Sequence, residues 1–188
     1  SSGPAATLVP ANVKDGDAID RLGGALYERH GRLDILVGNA GILGTVTPLA
    51  QLKPSVWDDV IAINVTANFR LLRSMDPLLQ AAPAGRAVFV TSGVTASPRP
   101  FVGPYAASKA ALEQIVRSYA LEKKSTPVKT NLLDPDVVAT RMRARYKPGE
   151  DPATLQQPAV LVPAMMDLVS PDCAQTGGIY EGQTRTWR

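Results

Sequence analysis

The chain has 188 residues, a formal net charge of +3, 45% apolar and 20% charged residues, which is the composition of a well-cored globular domain and not of a disordered or collagen-like chain. A single cysteine, Cys173, and a single histidine, His30, exclude a disulfide framework and give no basis for a metal site, so none is expected. No apolar run approaches the roughly 18 residues of a membrane span, and the basic residues never run longer than Lys123-Lys124; neither a membrane nor a nucleic-acid partner is expected, and the expected location is the cytoplasm.

In chain order, "TLVPANV" (7–13) reads as a strand that Pro10 confines to a sheet edge. The segment "DAIDRLGGALYERHG" (17–31) carries Ile19, Leu22 and Leu26 on one helical face, with Asp15 as N-cap and Gly31 as stop. "LDILV" (33–37) has the continuous apolar character of a central parallel strand covered on both faces. A long helix is expected over 53–75, started by Pro54, with Val56, Val60, Ile63 and Phe69 near helical spacing. Strands follow at 86–92 and 128–133, a helix from Tyr105 to about Lys123, a helical segment over 157–169 and a last short strand at 177–182. This alternation predicts an α/β fold with a doubly wound parallel sheet, built as one domain over residues 1–188.

In such sheets the chemistry gathers beyond the carboxyl ends of the strands. Three strand ends carry small or polar residues: "GNAG" (38–41), "TSG" (91–93) and "DPDVVAT" (134–140). Each also has a plain structural reading. Asn39-Ala40-Gly41 suits a tight turn, Ser92 suits a cap, and Asn64 can be a solvated or a bonded amide. Tyr105 and Lys109 are i and i+4 on one helix face, a commonplace pair.

Taken together, "NAG" (39–41), "IAINV" around Asn64, "VFVTSG" with Ser92, "YAASK" (105–109) and "DPDVVAT" resemble the short-chain dehydrogenase/reductase family, in its order and over nearly the whole chain. Ser92 precedes Tyr105 by 13 residues and Asn64 precedes Ser92 by 28, spacings typical of that family. The resemblance implies a Rossmann-type fold and an oxidoreductase using NAD or NADP on a carbonyl or secondary alcohol. It also implies a homo-oligomer, dimer or tetramer, built on the helices carrying Asn64 and Tyr105. Tyr105 would be the acid or base and Ser92 would hold the substrate oxygen. Lys109 would lower the tyrosine pKa and hold the nicotinamide ribose, and Asn64 would anchor a proton-relaying water. Asn12, Asn39, Ala40, Gly41 and Thr140 would complete the cofactor contacts.

The chemistry accounts for these residue types. Hydride transfer to or from a carbon bearing oxygen needs a proton moved at that oxygen, and a tyrosine with a pKa of about 10 does so at neutral pH only if cations favour its phenolate.

Three departures from the family pattern qualify the resemblance. Asp136 stands where the family usually has glycine after proline, and Asn12 where it often has aspartate. The sequence contains no G-x-x-x-G-x-G phosphate loop, and the expectation is that about 50 further residues, a strand-helix-strand unit, precede Ser1. In the family's strand order 3-2-1-4-5-6, that unit would lie between the 7–13 edge strand and "LDILV". The competing expectation is a non-catalytic or truncated relative that keeps the scaffold for association. "TRMRARYK" (140–147) can be a lid or a solvated basic segment, and the wall between Ser92 and Tyr105, with Val94, Pro98, Phe101 and Val102, is expected to be largely apolar.

Overall fold

In the computed structural model, which describes residues 6–188, the first helix α1 spans Gly16–His30. The Asp15 carboxylate accepts from the Ala18 N–H, and Gly31 closes the helix in the left-handed conformation at φ 69°, where a side chain would be strained. Ile19 is buried, and Leu22 and Leu26 pack on the core.

Four parallel strands follow in spatial order: β1 (Ile35–Gly38), β2 (Arg86–Val90), β3 (Lys129–Asp134) and β4 (Ile179–Glu181). A fifth, β5 (Thr186–Trp187), runs antiparallel to β4. Val37 pairs with Val88, Val88 with Asn131, and Leu132 with Ile179. Alternate residues face opposite layers. Leu36, Ala87, Phe89 and Leu132 meet α1, α3 (Ala67–Ala81) and α4 (Gly103–Glu122) through Leu72, Met75, Leu112 and Val116. Val88 and Leu133 meet α6 (Val162–Val169) through Ala164 and Leu168 on the other face. Helices on both faces make the sheet doubly wound.

Three sequence expectations need correction. Residues 7–13 form no strand; a strand needs a ladder partner, none of the described strands lies beside this segment, and Pro10 lacks a donor. The strand at 33–37 is not central among the described residues: there β1 is an edge with only one face covered, and Ile35 and Val37 are 44% and 41% exposed. The long helix is not uniform either. It runs as α2 (Pro54–Ile61), a π-helical turn (Ala62–Thr66) and α3. Val60, Asn64, Asn68 and Leu72, each four apart, are all buried, whereas Phe69 is exposed. A spacing of four drifts around a 3.6-residue helix, and the wider π turn restores the phase, so the inward stripe passes through Asn64 rather than Ile63 and Phe69.

Sequence periodicity also overlooked two elements. The helix α5 (Arg141–Tyr146) has six residues, and β5 has two, with Trp187 packed at a tilt of 49° against Tyr180, 4.7 Å between ring centres. Among the described residues no helix is long and apolar enough to cross a membrane.

Candidate functional site

The parallel strands end at one edge of the sheet. β1 releases Asn39-Ala40-Gly41, β2 releases Thr91-Ser92-Gly93, and β3 ends at Asp134 before Pro135-Asp136. The π turn before α3 brings Asn64, and α4 brings Tyr105 and Lys109, to the same edge.

The π turn sets Asn64 with its side chain fully buried. Its Oδ1 accepts from the Ile42 N–H at 2.8 Å, and its Nδ2 donates to the Ile42 carbonyl at 2.9 Å and to Ser108 Oγ at 2.9 Å. Ser108 Oγ in turn donates to the Tyr105 carbonyl at 2.7 Å. One amide therefore ties the loop after β1 to the first turn of α4. Ser108 drew no notice in the sequence, because a serine at a helix start reads as ordinary.

Lys109 is 4% exposed, and its Nζ donates to the Val90 carbonyl at 2.7 Å. Val90 is the only partner among the described residues, so two of its three donors remain. A Cβ on Gly41 would stand 3.5 Å from both Lys109 Nζ and Asn64 Oδ1, so a glycine there leaves the ammonium approachable. Burial lowers the Lys109 pKa from 10.5 to about 8. Its ammonium lies 5.7 Å from the centre of the Tyr105 ring.

Tyr105 departs from the sequence expectation. Its pKa is raised above the ordinary value, chiefly by burial, with a hydrogen bond to Ser92 pulling it down and the charge of Asp134 pushing it up again. The rise stands because desolvation outweighs the opposing hydrogen bond. Without ligand, the protein holds Tyr105 as the phenol.

Ser92 is extended (φ −163°), and its Oγ accepts from the Val94 N–H at 3.4 Å. The wall that follows includes Phe101, 52% exposed and held at φ 68°, a left-handed conformation that is costly for a bulky residue. The Phe101 carbonyl accepts from the Thr47 N–H at 3.0 Å. Val102 is buried, whereas Pro98 is exposed.

Asp134 is a second residue that sequence reading passed over. It is almost fully buried, its Oδ1 accepts from the Asp136 N–H at 3.1 Å, and its Oδ2 lies 3.3 Å from Arg188 Nη2. Burial raises its pKa, and the Asp136 N–H and the Arg188 guanidinium oppose the rise. Asp136 adopts φ 52°, the conformation for which glycine is the usual choice and which aspartate tolerates better than most. The loop after β3 thus keeps a glycine-like backbone while carrying an exposed carboxylate. Gln183 Nε2 secures the loop by donating to the Val137 carbonyl at 3.0 Å.

The remaining expected residues are less gathered. Asn39 is exposed and Ala40 half-buried beside Gly41. Exposed Thr140 caps α5, its hydroxyl accepting from the Arg143 N–H at 3.1 Å. Asn12 is not brought to the strand ends by any described contact: its Oδ1 accepts from the Lys14 N–H, and Lys14 pairs with Asp59 of α2. Among the described residues no group of three or more His, Cys, Asp or Glu could hold a metal ion.

Comparison with known proteins gives a consistent result. A family model described as short chain dehydrogenase matches residues 1–151. An Escherichia coli protein described as an uncharacterized oxidoreductase, YciK, is 39% identical over 153 residues, covering 81% of this chain and 60% of the relative. A solved Escherichia coli structure complexed with NADPH is 35% identical with a TM-score of 0.85, covering 90% of this chain and 70% of that one. A Pseudomonas syringae structure reaches a TM-score of 0.90 at 31% identity, covering 93% and 72%. The chain thus spans about three-fifths of the length of YciK.

Proposed function

Because the chain belongs to the short-chain dehydrogenase/reductase family, we propose that it serves an oxidoreductase using NAD or NADP on a carbonyl or secondary alcohol. Tyr105 is its general acid or base. The observation that carries this reading is the convergence of Asn64, Ser92, Tyr105 and Lys109 at one sheet edge: Asn64 is tied to the Tyr105 backbone through Ser108, and Lys109 bonds the Val90 carbonyl two residues before Ser92. It favours an enzyme over a non-catalytic scaffold, because a scaffold has no use for a buried ammonium beside a half-buried phenol.

The residues present fit a nicotinamide ribose. Gly41 leaves an approach to Lys109, whose two remaining donors match a pair of hydroxyls; Asn39 and Ala40 lie on the same loop as Gly41, and Thr140 on the loop after β3. When bound, the dinucleotide supplies or takes up the hydride. In the reductive direction Tyr105 Oη gives its proton to the substrate oxygen while Ser92 Oγ hydrogen-bonds the same oxygen and fixes its position. The raised pKa keeps Tyr105 protonated before the reaction, and the transfer itself needs the positive charge of Lys109 to favour the phenolate as it forms. The phenolate left behind is stabilised by Lys109, whose pKa of about 8 lets it pass on a proton near neutrality. Asn64 holds the loop and α4 in register around Lys109. We assign self-association to α3 and α4, a reading supported by the exposed apolar residues Phe69 and Leu121.

Fluorescence titration with NADH and NADPH, followed by turnover on a panel of aldehydes and ketones, tests the reading. Saturable binding of one cofactor and its oxidation by a carbonyl substrate is the expected result. No binding of either at millimolar concentration by the full chain would refute it.

A further inference from the structure

We propose that Glu113 is a positioning residue that clamps the Ser92 loop to α4 through Thr91 and Thr95, an inference that rests on the reading of Ser92 as the group holding the substrate oxygen. Glu113 is only 7% exposed and lies two helical turns beyond Tyr105. Tyr105, Lys109 and Glu113 succeed each other at intervals of four, so one stripe of α4 presents the phenol, the ammonium and the carboxylate.

Both hydroxyls that flank Ser92 converge on a single oxygen. Thr91 Oγ1 donates to Glu113 Oε1 at 2.6 Å and Thr95 Oγ1 donates to the same atom at 2.7 Å. Thr95 Oγ1 also lies 3.0 Å from the Ser92 carbonyl. The second carboxylate oxygen looks outward to Arg117 of the next turn at 3.8 Å. Hydrogen bonds to an ionised carboxylate are stronger than neutral ones, and two of them straddling one residue restrain both ends of the extended Ser92 backbone. Thr91 also donates its N–H to the Leu133 carbonyl at 2.9 Å, which fixes the start of the loop to the sheet. The part of the loop that can move is therefore Ser92 to Thr95, and Glu113 is what holds its far end to the helix carrying Tyr105. Errors of about 1 Å in such placement are costly in catalysis.

The test compares Glu113→Ala, Glu113→Gln and Thr95→Val in the full chain by steady-state kinetics, cofactor titration and amide hydrogen exchange. Glu113→Gln keeps an acceptor at the Oε1 position and should stay within about threefold of the parent, while Glu113→Ala and Thr95→Val should lose about tenfold or more in kcat/KM, on the scale of one hydrogen bond. Cofactor affinity should be unchanged in all three. The amides of Thr95, Ala96 and Ser97, which bond back to Ser92 and Gly93, should exchange about tenfold faster in Glu113→Ala and Thr95→Val and at the parent rate in Glu113→Gln. Unchanged exchange in both loop variants overturns the clamp whether or not the enzyme turns over. Faster exchange with undiminished kcat/KM overturns the positioning of Ser92. A parent chain that binds cofactor but reduces no carbonyl refutes the oxidoreductase reading, and the positioning proposal falls with it. Should Glu113→Ala fail to fold, Thr95→Val alone decides, since Thr95 is only half-buried.

Discussion

Replacing Lys109 by methionine separates what this residue does for stability from what it does for chemistry. The ammonium is 4% exposed, and burial lowers its pKa from 10.5 to about 8. At about 1.4 kcal/mol per tenfold in proton affinity, keeping it charged costs the folded state about 3 kcal/mol at neutral pH. Between about pH 8 and 10.5 the unfolded lysine binds more protons than the folded one, so this cost is present below that window and disappears as pH rises through it. Methionine matches the unbranched stem but leaves the Val90 carbonyl without its 2.7 Å donor, a loss of about 1 to 3 kcal/mol. Lys109→Met should therefore be as stable as the parent or up to about 2 kcal/mol more stable at pH 7, and less stable than the parent at pH 10. Urea unfolding of both full chains at the two pH values checks this, and taking the difference cancels the other titrating groups. A parent-to-variant difference that does not change with pH would refute the claim that the ammonium is desolvated. Turnover should be lost in the same variant, the usual exchange of stability for function at a strained site.

Further outcomes follow from the same geometry. Asn64→Leu leaves the N–H and carbonyl of Ile42 without partners and should destabilise the fold by about 2 to 4 kcal/mol in thermal or urea melts. Asp136→Gly relieves a side chain at φ 52° but adds freedom to the unfolded chain; these effects, each about 1 kcal/mol, nearly cancel, so the stability should hold while cofactor binding tightens through removal of a carboxylate. In the reductive direction kcat/KM should fall as pH rises through about 8, because Lys109 of the free protein loses its charge there; a profile flat to pH 10 would contradict a role for the ammonium.

The fold was legible where local signals agreed with their neighbours. Asp15 and Gly31 bounded α1 correctly, Pro54 started α2, and the apolar runs at 86–92 and 128–133 became β2 and β3. The segment 7–13 failed because a strand is made by its partner, which propensity cannot supply. The place of β1 failed for a related reason: an apolar run reports burial potential, but the layer that covers it is a property of the sheet. The π turn escaped because periodicity was counted at 3.6 throughout, although the run Val60, Asn64, Asn68, Leu72 at intervals of four carried the signal. At the site, Tyr105, Lys109, Ser92 and Asn64 were recognisable by their joint spacing. Ser108, Glu113 and Asp134 were not, because a serine, a glutamate on a helix and an aspartate before proline are usually solvated; only tertiary packing removes the water around them.

The proposed proton transfer rests most directly on Tyr105. Tyr105→Phe removes one hydroxyl while keeping the ring beneath Lys109, so cofactor titration should give the parent affinity while carbonyl reduction by the bound cofactor falls by at least about a hundredfold, the scale of lost general acid catalysis. Reduction at the parent rate in Tyr105→Phe would contradict the assignment of the proton to this residue.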